Sequence, residues 1–356
     1  MTTAGAAPPA PIRPPRRRPH PLDAIAVLLA VVGAGCVATG LLPRPEAAAT
    51  LGRILPLLLF LDTTAVLLTP VLLTLAATLR TAVAPLAVTT VWLANTASLL
   101  LPVSNLTNLL AADRIGLDPL TYASLMWLPQ LAVLAVTTVL LWYCWWRPAR
   151  PPGNRFPAPA AHRPPDGVLY RTALAGCLLF VGAILAGVPV GLGSTVAAGP
   201  LVLAFAIRSP RTLRYALVPW RLLLFVTGLF LVIQTIGRHG LNDLVAGLIG
   251  PDGGVLGALR AGGTGALLAN LVNNLPAYLA GEVVLPAGER QRLLALLIGT
   301  NVGPLALPWA SLATLLWLER CRAARVRVPA VRFLLTSAVV AVLGTLAAVG
   351  ALLLTG

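Results

Sequence analysis

Apolar runs of roughly 20 residues, long enough to cross a ~30 Å hydrocarbon core as helices, recur from Asp23 to the last residues of the chain. They are filled with Leu, Ala and Val and lack the polar alternation of a membrane barrel strand. The pattern predicts helices over 23–42, 51–79, 82–111, 119–146, 169–189, 193–207, 218–236, 262–286, 290–318 and 333–355. Residues 243–260, Gly-rich and half apolar, are expected in the interface. The fold class that follows is an all-α polytopic membrane protein with about 10 membrane segments.

Two polar interruptions in this pattern resemble each other. From Asn95 the chain reads NTASLLLPVSNLTNLL, and from Asn301 it reads NVGPLALPWASLATLL. The two share the opening Asn, a Pro seven residues later and five Leu positions, and Asn105 and Asn108 fall opposite Ser311 and Thr314. Each phrase follows another interrupted apolar segment, LDTTAVLLTP around Asp62 and NLVNNLPAYLAGE around Asn273 and Asn274. A hairpin and then a broken helix, written twice, is the signature of inverted repeats whose unwound segments meet near the bilayer midplane. Unpaired backbone facing lipid costs several kcal/mol per group, so these breaks belong in a protein-lined cavity. Pro102 and Pro308 each delete a helical hydrogen bond, which is expected to free a carbonyl for a ligand or ion.

Composition agrees: 58% hydrophobic and 10% charged residues leave too little polar surface for a soluble globule of 356 residues. The net charge of +15 is carried by Arg alone, gathered near Arg13–Arg18, Arg147–Arg171, Arg208–Arg221 and Arg320–Arg332. That is the positive-inside bias of short cytoplasmic loops, so the partner is the lipid bilayer and no nucleic acid is expected. Residues 1–21 read as a disordered basic cytoplasmic tail, 22–146 as the first repeat, 147–170 as a cytoplasmic Pro/Arg-rich linker and 171–356 as the second repeat. The run from Leu22 to Leu42 is too long for a signal-peptide core and reads as a retained first helix. With the tail and the linker both cytoplasmic, the crossings between them must be even in number. A re-entrant hairpin at 51–79 would leave three, so the charge rule favours a full span there. Cys36, Cys144, Cys177 and Cys321 lie far apart without ligand spacing, and no nucleophile–base pair or phosphate loop occurs, so neither metal, cofactor nor enzyme activity is expected.

From about residue 55 onward, DTTAVLLTPVLLTLA, SNLTNLLAADRIGL, LLANLVNNLPAYLAG and GTNVGPLALPWASLATLLWL, in that order, resemble the arsenical pump membrane proteins. These are arsenite/antimonite efflux permeases of the ion transporter superfamily. The resemblance implies inner-membrane export of As(III) and Sb(III) hydroxides driven by protons, alone or with a cytoplasmic ATPase partner, and it admits a homodimer. Distant relatives carry dicarboxylates, citrate or sulphate with sodium, so an anion carrier is the alternative, and a non-transporting scaffold derived from a permease is a third reading. The chain departs from the family pattern in three ways. Leu61 precedes Asp62 where the family usually has Asn, Asn301-Val302-Gly303-Pro304 stands where Asp-Leu-Gly-Pro is common, and the first half reads as shortened.

The candidate substrate- and ion-binding residues are Asp62, Thr63, Asn95, Ser104, Asn105, Asn108, Asn273, Asn274, Asn301 and Thr314. Asp62 is the one acid deep in an apolar run, where a charge costs about 3 kcal/mol on insertion scales and usually marks an ion pathway. The amides and hydroxyls offer uncharged donors and acceptors, which suit a neutral trihydroxide better than a dianion. Glu282 is expected at the interface and His239, Asp243 and Asp252 in solvated loop.

Overall fold

The computed structural model describes residues 21–49, 51–52, 82–149, 166–188, 190–210 and 220–355. Its helices are α1 (Pro21–Ala38), α2 (Val83–Thr96), α3 (Leu106–Ile115), α4 (Pro119–Leu141), α5 (Gly167–Leu185), α6 (Val190–Arg208), α7 (Trp220–Ile236), α8 (Asn242–Ile249), α9 (Gly254–Val272), α10 (Asn274–Val284), α11 (Arg290–Val302), α12 (Leu312–Ala323) and α13 (Ala330–Thr355). No strand occurs among the described residues. Among the described residues, five helical stretches are long and apolar enough to cross a membrane, and α1, α2 and α6 contain shorter apolar helices.

Each predicted broken helix is broken. The 82–111 segment folds as α2 and α3 around an extended stretch with one 3-10 turn at Pro102–Ser104, and 290–318 folds as α11 and α12 around a 3-10 turn at Gly303–Leu305. The 262–286 segment is a hairpin. Its arms α9 and α10 reverse at Asn273, a non-Gly residue with φ 101°. Although α9 is long enough to span, its first turns hold Arg260, which bonds Asp252 and the carbonyls of Leu248 and Gly247. From Ala261 to Val272 the arm rises only about 18 Å, roughly half a bilayer core. The 243–260 stretch holds α8, with Asp243 in its first turn, and the start of α9, joined by a short connection at 250–253 that carries Asp252.

Inside lipid there is no hydrophobic drive between helices, so close backbone approach through small residues must supply dispersion. On α9, Gly262 and Gly265 face α11: a Cβ on Gly299 would strike the Gly262 carbonyl, and one on Gly265 would stand 2.6 Å from Leu296 O. Gly33 and Gly228 bring α1 onto α7 in the same way, since a Cβ on Gly228 would overlap the backbone of Leu29 and Ala30. Along the full thickness α4 lies antiparallel to α13, tied by Trp145 Nε1 to Thr336 Oγ1 (3.2 Å) at one end and Thr355 Oγ1 to Leu125 O (2.9 Å) at the other.

The two ends of the bundle differ in charge. At one, Trp145, Trp317 and Phe333 pack beneath Arg147, Arg320, Arg322 and Arg332, with the Arg332 guanidinium 4.7 Å over the Trp145 ring. At the other, Arg114, Arg238, Arg260 and Arg292 each stand beside a carboxylate. Asp118 and Asp166 cap α4 and α5, and hydrogen bonds from Thr121 and from Arg208, respectively, hold their carboxyls below the usual range.

The tail, most of the 147–170 linker, Asp62 and Thr63 lie outside the described residues, as does the question of a hairpin or a span at 51–79. The flanks of that stretch stand at opposite ends. Leu51 packs near Leu231 on the side where Glu46 meets Arg238, whereas Val83 packs with Trp145 at the basic end.

Candidate functional site

A helix that stops inside an apolar run must restart with its first N–H groups capped. Asn105 does this for α3, its Oδ1 accepting from Thr107 N at 3.4 Å, and Ser311 does it for α12, its Oγ accepting from Ala313 N at 3.2 Å. The two caps occupy corresponding places in the repeated phrases and share an extended backbone, with φ −151° and ψ 148° at Asn105 and φ −136° and ψ 140° at Ser311. The two helix restarts therefore have one construction.

They also meet. The opening Asn of each phrase reaches the end of the other: Asn95 Nδ2 donates to Thr314 Oγ1 at 3.4 Å, and Asn301 Nδ2 donates to Asn108 Oδ1 at 2.6 Å. Asn301 Oδ1 accepts from Thr107 Oγ1 at 2.6 Å and from Asn105 Nδ2 at 3.4 Å. Asn95, Thr107, Asn108, Asn301 and Thr314 are all buried, Thr107, Asn108 and Thr314 completely. This reciprocal pairing relates the phrases by a pseudo-twofold axis, as inverted repeats require.

The direction of each bond follows from the backbone. Asn108 Nδ2 donates to two carbonyls, Ser98 O at 2.5 Å and Leu101 O at 3.1 Å, which can only accept. Its Oδ1 must then face Asn301, so Asn301 turns its NH2 toward Asn108 and its oxygen toward Thr107 and Asn105. A chain of amides with fixed polarity runs across the junction.

The carbonyl that Pro102 releases, Ser98 O, is not free for an ion because it accepts from Asn108, and further carbonyls at both breaks are also taken. Asn270 Nδ2 donates to Gly303 O at 2.8 Å while its Oδ1 accepts from Leu307 N at 3.1 Å. Asn273 Nδ2 donates to Trp309 O at 3.0 Å, and Asn274 N to Ala310 O at 2.9 Å, so the hairpin tip is stitched to the second break. Across the axis Gln130 Nε2 donates to Thr96 O at 2.8 Å and Gln130 Oε1 accepts from Leu99 N at 2.7 Å. Asn270 and Gln130 were not among the sequence candidates. The helical spacing of Asn270 from Asn273 and Asn274, and the lone amide of Gln130 in a long apolar run, are the signals that mark them.

Of the sequence candidates, Asn95, Asn105, Asn108, Asn301 and Thr314 come together in the junction, with Asn273 and Asn274 beside it. Ser104 is exposed and stands outside it, and the placement of Asp62 and Thr63 is not described. Near the junction, Ser98 Oγ in the first repeat and Asn274 Oδ1 in the second are enclosed and have no hydrogen-bond partner among the described residues. Ser98 lies in the first broken helix and Asn274 at the tip of the second-half hairpin, both beside the junction. Every junction side chain named is uncharged.

The match to known proteins covers the same region. The family model described as arsenical pump membrane protein matches residues 46–354. Over 250 residues the chain is 31% identical to an arsenical pump membrane protein of Escherichia coli K12, covering 64% of this chain and 57% of that protein. It is 32% identical over 285 residues to the one from Yersinia enterocolitica (72% and 65%), and 27% identical over 271 residues to a putative one from Bacillus subtilis (66% and 61%). The match thus spans less than two thirds of each of these relatives. With nearly its whole length matched by the family model, the chain belongs to the arsenical pump membrane protein family.

Proposed function

We propose that this protein is a secondary transporter of the cytoplasmic membrane that exports the neutral hydroxides of As(III) and Sb(III), its Arg-rich end facing the cytoplasm. The observation that carries the reading is the uncharged amide and hydroxyl junction built from both repeats, beside which Asn274 Oδ1 and Ser98 Oγ have no partner among the described residues. An acceptor such as Asn274 Oδ1 needs a donor from the solute; a trihydroxide supplies O–H groups and a dianion supplies none. The relatives are named as arsenical pumps, which supports the same substrate class.

Proton coupling is part of the proposal and is assigned to Asp62, on the ground that an acid within an apolar run marks a proton or ion path. A cytoplasmic ATPase and a second copy of the chain are partners that this reading accommodates and does not require. Expression in an arsenite-sensitive bacterium tests the whole reading. Lower cellular As(III) with unchanged uptake of succinate, citrate and sulphate is expected; increased anion uptake at unchanged arsenic content would replace this function with anion carriage.

A further inference from the structure

Away from the junction, at the end opposite the basic loops, lies a cavity of about 460 Å³. Its wall includes Arg114 at the end of α3, Glu282 near the end of α10, Gln234 on α7, and Arg238, Asn242 and Glu46. Both short helices that reach it start at the junction. Helix α3 restarts there on Asn105, and α10 leaves the hairpin tip at Asn274, so about 15 Å of helix separates junction from cavity. Glu282 was expected at the interface, yet it is only 5% exposed. Arg114 Nε stands 3.8 Å from its Oε1, so a residue of the first repeat meets one of the second.

The chemistry of this wall is specific. Each guanidinium is matched by a carboxylate, Arg114 by Glu282 and Arg238 by Glu46, so the lining has donors and acceptors in quantity and little net charge. A divalent anion gains nothing from neutralised guanidiniums and is repelled by two carboxylates. A small neutral polyhydroxy acid both donates and accepts, and it can insert into a 3.8 Å ion pair without leaving either charge bare. The volume lies within the range of small-molecule sites.

We propose that this cavity is a second solute subsite, on the face opposite the cytoplasm, where a neutral trihydroxide is held between Glu282 and Arg114 on its way from the junction. Filling it separates a pair that joins the two repeats, so occupancy of the subsite is linked to their relative position. The subsite rests on the transport reading only for its place in the cycle; its binding chemistry can be measured alone.

The test uses boric acid, a neutral trihydroxide that does not react with thiols, on the full chain in proteoliposomes. Val283 lines the cavity and is 67% exposed, so Val283→Cys, with Cys36, Cys144, Cys177 and Cys321 replaced by Ser, takes a membrane-impermeant maleimide from the outer side. Millimolar boric acid is expected to slow that labelling about threefold or more, sulphate to leave it unchanged, and Glu282→Gln to remove the protection. No protection, equal protection by sulphate, or protection that survives Glu282→Gln overturns the subsite.

In the chain with its native cysteines, Glu282→Gln is also expected to raise the half-saturating arsenite concentration about fivefold on the outer side and not on the inner side. An equal change on both sides, or none, overturns the proposal as well. Boric acid protection in a chain that moves no arsenite keeps the subsite and removes the transport reading; arsenite flux without protection does the reverse.

Discussion

Asn301 donates from Nδ2 to Asn108 Oδ1 at 2.6 Å, and this bond joins the first residue of one copy of a repeated phrase to the last polar residue of the other. Its mirror is Asn95 to Thr314 at 3.4 Å. Each break is clamped by amides of its own repeat, Asn108 and Gln130 in the first and Asn270 and Asn273 in the second. The two phrases then pair with each other, so a chain with 58% hydrophobic residues concentrates buried amides where its repeats meet.

The fixed polarity of this network makes Asn301→Asp informative. A carboxylate at this position would present an acceptor to Asn108 Oδ1, and Asn108 cannot turn over without stripping its donor from Ser98 O and Leu101 O. Only the protonated acid restores the missing donor. The detergent-solubilised variant is expected to melt below wild type at pH 8 and to approach it as the pH falls to about 5, because protonation removes the penalty. A melting difference that is the same at both pH values would refute the assigned bond directions.

The two clamps are predicted to be structural members with functional consequences. Asn270→Leu strands Leu307 N and Gln130→Leu strands Leu99 N, each costing about 1–3 kcal/mol for an enclosed unsatisfied group. Both variants should lower the thermal midpoint, and exchange of amide hydrogens should rise in residues 97–105 for the first repeat and 303–311 for the second. Protection unchanged in the break that faces the altered clamp would show that the clamp does not hold it.

Much of this arrangement was legible in the sequence, and its limits have a physical cause. Asn and Pro inside apolar runs announced the breaks, because such residues are tolerated in a span only where the backbone is met by protein, and the NLVNNLP phrase announced the hairpin tip. The position of Ser104 in the phrase predicts a place in the site, but the 3-10 turn at Pro102–Ser104 turns it outward, a rotation that helical periodicity does not encode. Gln130 and Asn270 were missed because their partners are backbone groups of other segments, which leave no trace in composition. Glu282 looked interfacial from its place near the end of an apolar run. Its burial comes from packing of α10 on α3 and α7 around the cavity beside Arg114.

Asp62 is predicted to couple protons to transport. Asp62→Asn keeps size and polarity but cannot titrate, so downhill arsenite exchange should persist while uphill accumulation fails. Everted vesicles under a series of imposed pH gradients give the answer. Accumulation by the variant that still scales with the gradient would make Asp62 structural and leave proton coupling without its residue.

A double-mutant cycle in arsenite uptake by everted vesicles measures the coupling across the junction between Asn108 and Asn301. With transport normalised to protein in the membrane, Asn108→Ala and Asn301→Ala are each expected to reduce uptake about tenfold or more, and the double variant to be no worse than either, because the two residues act as one unit. Single variants that reach the membrane at wild-type level and transport at the wild-type rate would contradict the claim that the repeated phrases meet to form the transport site.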